Sequence, residues 1–439
     1  MTRIPPDIMV KKMVFLVVCM LALIPGLSRS LTLDEALTLA TESLPIYQAA
    51  RLRVLSSEAL YKATISPYFP RLDGSAAYRR ISNTDDFDTR TYELRLSYLL
   101  FDGGERRANR SIERLNLEND REALRTTLID LHYNVKVAFY TAIAQQESLA
   151  QRSIQLQDAQ KDFEVAEGRY KFGVAKLSDM LQASVRLEQA RFNLIQAEGD
   201  LAKAFADLNS LIGKPLDSRY PLEGSLDRET GVPDKRYFLD AALQKPEIRQ
   251  AENAVRIAEQ NRSLVRSTFF PLISAEASYQ KTSGGGSFRF AFPEEKSAGI
   301  TATWSLFDLS RFFRYRSAGI ERAVSSEQLN ETKRQLLLSV DRAYEDVTIA
   351  SNQLNVARQQ LKQAEHNYAQ AFGEYKVGKA DILSLVQAES FLATAREQLI
   401  SSRLNLILSL SLLERTSGTL ALSLTPGSPG SEAPKTAAP

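Results

Sequence analysis

The sequence predicts an α+β membrane protein made of two copies of one plan, and three observations carry that expectation. The first is repetition. Residues 168–182 read GRYKFGVAKLSDMLQ and residues 373–387 read GEYKVGKADILSLVQ, so Tyr170 meets Tyr375, Lys171 meets Lys376, Gly173 meets Gly378 and Gln182 meets Gln387 at one constant offset. The second is a heptad seam that follows each copy: Leu187, Leu194, Leu201 and Leu208, then Leu392, Leu399, Leu406 and Leu413. The third is strict alternation in two stretches, Tyr92, Leu94, Leu96, Tyr98 and Leu100 in one, Ala298, Ile300, Ala302, Trp304 and Leu306 in the other. Such alternation predicts strands with one apolar and one polar face.

Composition bounds the class. With 439 residues, 44% hydrophobic and 25% charged, the chain supports one large or two medium domains and is neither disordered nor collagenous. A net charge of +2, with no basic cluster interleaved with aromatics, gives no footing for a nucleic-acid partner.

Lys11 and Lys12 precede an apolar run over residues 13–27, and the small residues Ser28 and Ser30 follow it. This predicts a cleaved signal peptide over residues 1–30; the run is shorter than the roughly 20 residues that span a bilayer. The single cysteine, Cys19, lies inside the run. Acylation of Cys19 is the alternative, disfavoured by Val18 where a small residue is expected. The exported chain then carries no disulfide and no thiolate site. No second apolar run of spanning length follows.

Residues 31–66 have helical periodicity, opened by Thr32 with Glu35 three positions on, and ended by Ser66-Pro67 and Pro70. A hairpin is expected over about 71–101, with residues 83–88 as its loop. Asp102 caps a long helix over about 103–170, whose seam includes Leu117, Leu124 and Leu131. After the Gly173 turn a return helix runs over about 175–212 and stops at Gly213-Lys214-Pro215, completing a first repeat over 31–215. Residues 216–235 are the connector. The second repeat, 236–418, follows the same order: a helix, a hairpin over about 272–307 with a loop at Gly284, Gly285 and Gly286, a long helix over about 309–375 and a return helix over about 380–415. Residues 419–439 form a Pro-, Gly- and Ala-rich tail expected to be disordered.

Lengths then constrain the assembly. A helix of roughly 67 residues extends about 100 Å, a return helix of roughly 37 about 55 Å and the preceding helix of roughly 32 about 48 Å, so two short helices end to end match one long one. Four strands of about ten residues are of transmembrane length, but four cannot close a barrel, and an open edge in lipid leaves backbone groups unpaired. Three copies supply 12 strands and are favoured over two.

The chain resembles the TolC-like family of bacterial outer-membrane efflux proteins over residues 31–418. The paired Leu-Phe-Asp junctions at Phe101-Asp102 and Phe307-Asp308 carry the resemblance, as do the Tyr-x-x-Gly tips at Tyr170 to Gly173 and Tyr375 to Gly378. It implies a homotrimeric channel-tunnel, with a 12-stranded barrel in outer-membrane lipid and a helical barrel across the periplasm. It also implies a periplasmic adaptor (membrane fusion protein) and an inner-membrane transporter as partners. The function implied is the exit channel of a tripartite efflux or type I secretion system.

In that family the helix tips close the periplasmic entrance, a tyrosine and an arginine of the second repeat binding an aspartate of the first. The resemblance places Tyr375 and Asp179 at the tyrosine and aspartate, Ala380 at the arginine, and Ser384 and Gln387 where the family has tip aspartates. Asp179, Tyr375, Ser384 and Gln387 are therefore gate candidates, and Lys171, Gly173, Lys376 and Gly378 are adaptor-docking candidates. The plain alternatives are a first-turn carboxylate for Asp179, tip packing for Tyr375 and turn glycines at Gly173 and Gly378.

No enzyme is expected, and no cofactor. His132 and His366 sit at unrelated positions of the long helices, without metal-ligand spacing, and no phosphate loop or nucleophile elbow occurs. A secreted coiled-coil scaffold or adhesin without a pore is the other class; it has no need of strands with one apolar face.

Overall fold

The structure, a computed structural model, describes residues 30–419 apart from 82–86, 228–232 and 286–293. The expected signal peptide with Cys19, most of both hairpin loops and the tail lie outside the described residues.

The elements run β1 (Leu31–Thr32), α1 (Leu33–Ser43), α2 (Pro45–Ala63), β2 (Arg71–Ile81), β3 (Phe87–Phe101), α3 (Glu105–Lys171), α4 (Leu177–Ile212), β4 (Leu222–Glu223), α5 (Lys235–Ala242), α6 (Pro246–Ser267), β5 (Leu272–Gly285), β6 (Glu294–Thr303), α7 (Leu309–Lys376) and α8 (Ile382–Ser417). They fall into two compact units, one holding the described parts of 1–44, 131–232 and 345–412, the other those of 45–130, 233–344 and 413–439.

The second unit holds one antiparallel sheet in the order β2-β3-β5-β6. Register pairs Leu72 with Leu96 and Gly74 with Leu94, then Leu96 with Ala277 and Leu94 with Tyr279, and finally Ala275 with Ile300. Because side chains alternate along every strand, these pairs share one face. Leu72, Leu94, Leu96 and Ile300 are exposed in the single chain.

At the sheet's base, Asp102 accepts from the amides of Gly104 (3.0 Å) and Arg106 (2.8 Å) and pairs with the Arg106 guanidinium at 2.9 Å. Arg106 Nη1 in turn donates to the carbonyls of Leu99 (2.7 Å) and Pro67 (3.0 Å), tying helix start to strand end. Asp308 accepts from the Ser310 amide at 2.9 Å, and Arg311 donates to the Ser305 carbonyl at 2.7 Å.

Several boundaries differ from expectation, each for a local reason. The helix expected over 31–66 is two: Leu44 is extended (φ −76, ψ 119) because a following proline excludes it from the helical region. Lys245 before Pro246 behaves the same way, separating α5 from α6. Phe87 and Asp88, expected in the loop, begin β3, and Gly284 and Gly285 belong to β5, paired with Thr89 and Asp88. Beyond Thr303 the chain leaves the ladder, so Trp304 and Leu306 are not in β6; Trp304 Nε1 donates instead to the Phe269 carbonyl at 3.1 Å. The second return helix spans Ile382–Ser417 rather than 380–415.

The first unit is a helix assembly with small residues on its seams, Ala183, Ala190, Ala197 and Ala204 of α4 being buried. Leu31 and Thr32 of β1 pair in parallel with Leu222 and Glu223 of β4, inside the connector. Thr32 and Glu35 form the reciprocal capping box, both bonds at 3.3 Å.

Candidate functional site at the two helix tips

All eight sequence-derived candidates lie in the first unit, at the two turns. The turns close alike. Val174 N–H donates to the Arg169 carbonyl at 2.9 Å and Lys379 N–H to the Glu374 carbonyl at 2.8 Å, with Gly173 at φ 73 and Gly378 at φ 76. This is a helix end with a left-handed glycine just beyond it, where any side chain would be strained. Lys171, Gly173, Lys376 and Gly378 are all exposed. Lys171 reaches back to Glu167 at 2.9 Å, an exposed pair.

The gate candidates separate into two kinds. Asp179, Ser384 and Gln387 are at the surface or half-buried, whereas Tyr375 is 1% exposed. Tyr375 packs with Ile382 and Leu385, and Val165, Tyr368, Phe372 and Val386 surround that cluster. Burial foremost, then the nearby carboxylates of Asp179 and Asp162, pushes the Tyr375 hydroxyl pKa above its ordinary value, with Arg169 opposing.

Within one chain the expected link between Tyr375 and Asp179 is not formed. The Tyr375 hydroxyl is buried with no hydrogen-bond partner. The Asp179 carboxylate accepts from the Lys176 amide at 3.4 Å and from the Ser178 hydroxyl at 3.2 Å, capping its own helix. Its position in the first turn of α4 favours this use, because the free amides there point at it.

A different residue ties the two turns. Arg169, in the last turn of α3, lies over the Tyr375 ring with its guanidinium carbon 4.7 Å from the centroid, and its Nη1 donates to the Tyr375 carbonyl. Sequence reasoning passed over Arg169, although the repeat held a signal: its match in the second copy is Glu374, a reversal of charge inside an otherwise similar motif. Asp381 was also passed over. It caps α8, accepting from the Ser384 amide (3.0 Å) and hydroxyl (2.8 Å), and these bonds hold its pKa below the usual carboxylate value. Ser384 therefore serves as a capping partner in this chain.

Among the described residues no group of His, Cys, Asp and Glu side chains is arranged to hold a metal ion, and no helix is long and apolar enough to cross a membrane. The tip is a packed, clasped helix end.

Comparison with known proteins agrees in both sequence and fold. The model of the family described as outer membrane efflux protein matches residues 36–214 and again 239–419. Protein CyaE of Bordetella pertussis is 26% identical over 384 residues, covering 84% of this chain and 80% of its own. The pyoverdine export outer membrane protein OpmQ of Pseudomonas aeruginosa is 24% identical, covering 81% and 78%. Among solved structures, CusC aligns with a TM-score of 0.77 at 19% identity over 88% of this chain and 91% of its own. The outer membrane protein VceC of Vibrio cholerae aligns with 0.75 at 18%, over 88% and 96%.

Proposed function

This chain belongs to the outer membrane efflux protein family, and from that premise we propose that it is the outer-membrane exit channel of a tripartite efflux or type I secretion system. It conducts passively what a periplasmic adaptor and an inner-membrane transporter deliver. The observation that carries this reading is the four-stranded antiparallel sheet: among the described residues both of its outer strands, β2 and β6, keep an unpaired edge, and one face leaves Leu72, Leu94, Leu96 and Ile300 exposed. Open edges and an apolar face are tolerable in lipid only when neighbouring copies complete a barrel.

Three protomers supply 12 strands. The two-part plan reflects a duplication, and the long helices, at about 1.5 Å per residue, reach across the periplasm. The tip is then the periplasmic entrance. Asp179, Tyr375, Ser384 and Gln387 stand at the gate, with Arg169 holding it in the single chain, and Lys171, Gly173, Lys376 and Gly378 meet the adaptor.

A pore-free scaffold or adhesin leaves the exposed apolar sheet face without a purpose. Cargo is chosen by the transporter: the relatives' names include pyoverdine export and, for the TtgC protein of Pseudomonas putida, toluene efflux. Purified protein reconstituted in planar bilayers tests the reading. Discrete conductance steps from trimers are expected, and a trimer that never conducts overturns it.

A further inference from the structure

Two turns from the clasp, α3 carries a carboxylate that nothing at the tip uses. Asp162 is 6% exposed and neither of its oxygens meets full hydrogen-bond geometry, with the Tyr368 hydroxyl as a hydrogen-bonding neighbour. A lone buried carboxylate is among the costliest groups a fold can hold, and it is normally paired or neutralised.

The groups facing it come from three helices. On α3 itself stand Asp158 and Lys161, and the two pair with each other at 3.6 Å. From α7 come the hydroxyls of Tyr368 and Tyr375, and from α8 come Glu389 and Arg396. Glu389 is itself only 8% exposed. The cations nearby are already engaged: Arg186 of α4 lies 3.6 Å from Glu389 while donating to the Val386 carbonyl at 2.8 Å, and Arg396 lies 3.6 Å from Asp158. Asp162 is left facing a second buried carboxylate without a cation of its own.

Tyr368 connects this cluster to the tip. It packs against the seam core of Ala364, Leu392 and Ala395, and also against the tip core of Tyr375, Ile382 and Leu385. One side chain therefore touches both the seam core and the tip core. Arg169 sits on the same helix as Asp162, seven residues closer to the turn.

We propose that Asp162, opposed to Glu389 across the packed helices and coupled through Tyr368 to the tip core, is a proton-operated latch on the Arg169 clasp. Neutral, it lets α3, α7 and α8 close together; ionised, it repels Glu389 and Asp158 and loosens the tip. Burial foremost, then Glu389 and Asp158, raises the Asp162 pKa from 3.8 to about 7, with Tyr368 and Lys161 opposing. Glu389 is raised too, by burial first and by Asp158, with Arg186 opposing. Two close buried carboxylates cannot both ionise cheaply, so one proton is retained. The sign follows: the packed state binds this proton more tightly than the unfolded chain, so its stability is greatest in acid, falls as pH rises from about 4 to about 7, and is level above.

The effect on conductance rests on the channel reading, whereas the titration does not, so both are measured on the full-length trimer. Infrared titration is expected to show a protonated carboxyl that ionises with a midpoint near 7 and is absent from Asp162→Asn. Conductance is expected to rise across the same interval in the native protein and to stay low and pH-independent in Asp162→Asn. Glu389→Gln removes the opposing charge and moves both midpoints down, which keeps the test alive if Asp162→Asn fails to assemble. An Asp162→Asn trimer with the native pH profile, or a native trimer without that carboxyl, overturns the latch. A trimer that titrates as expected but conducts at no pH supports the protonation and overturns the channel reading.

Discussion

Arg169 and Tyr375 show how one side chain can be read in two ways. Tyr375 looks like a hydrogen-bonding gate residue, but its ring and carbonyl are engaged while its hydroxyl is buried and unpartnered. Removing an unpaired buried hydroxyl is near neutral, whereas removing the charged partner loses a hydrogen bond of about 1.5–3 kcal/mol and a cation–π contact of about 0.5–1 kcal/mol. Arg169→Ala is therefore expected to destabilise the tip by about 2 kcal/mol and to raise conductance; Tyr375→Phe should leave both nearly unchanged. Thermal unfolding and bilayer recording on the two variants check this, and a Tyr375→Phe channel as open as Arg169→Ala would restore the hydroxyl to the gate. The repeated motif made legible that Tyr375 and Asp179 lie at the two turns, while a gate role for them came from the family resemblance alone. Their partners were not legible, because a capping carboxylate and a bridging carboxylate have the same sequence signature.

At the scale of elements, regular patterns were legible and exceptions to them were not. Heptad leucines mark α4 and α8, and the alternation of Tyr92, Leu94 and Leu96 marks β3. The breaks before Pro45 and Pro246 were hidden because the apolar period continues across them, although proline's restriction on the preceding residue applies at both. A two-residue strand such as β4 has no periodicity to detect; it is recognised only from its partner β1. The end of α4 shows what such local geometry is worth. Gly213 has φ 72, and a Cβ there would stand 2.5 Å from Ser43 Cβ. A side chain in the left-handed region costs about 1–2 kcal/mol before any clash. Gly213→Ala is expected to lower stability by at least that much, read as a fall in unfolding temperature, whereas Gly199→Ala in the middle of α4, where open space surrounds the added carbon, is expected to raise it by about 0.5–1 kcal/mol.

For the whole molecule, neighbouring chains are not directly visible in one sequence, yet the exposed surface of the first unit constrains them. On α4 the face that packs within the unit carries Ala183, Leu187, Ala190 and Ala197. The remaining surface of the same helix exposes Leu181 at 52%, Val185 at 69%, Phe192 at 62% and Ile195 at 68%. A helix apolar on more than one face is covered on more than one face, and in a closed homotrimer each protomer presents the same surface to the next. Burying large apolar side chains contributes about 1.5–3 kcal/mol each, and the proposed trimer repeats that gain at three interfaces. Introducing a carboxylate removes the apolar contribution and adds a charge that burial must desolvate. Phe192→Glu combined with Ile195→Glu is therefore expected to convert the trimer to monomer while leaving helix content intact, because both side chains lie outside the packed core of the single chain. Sedimentation of the detergent-solubilised protein, with circular dichroism on the same sample, separates loss of assembly from loss of fold; a double variant that remains trimeric would place this stripe outside the subunit interface.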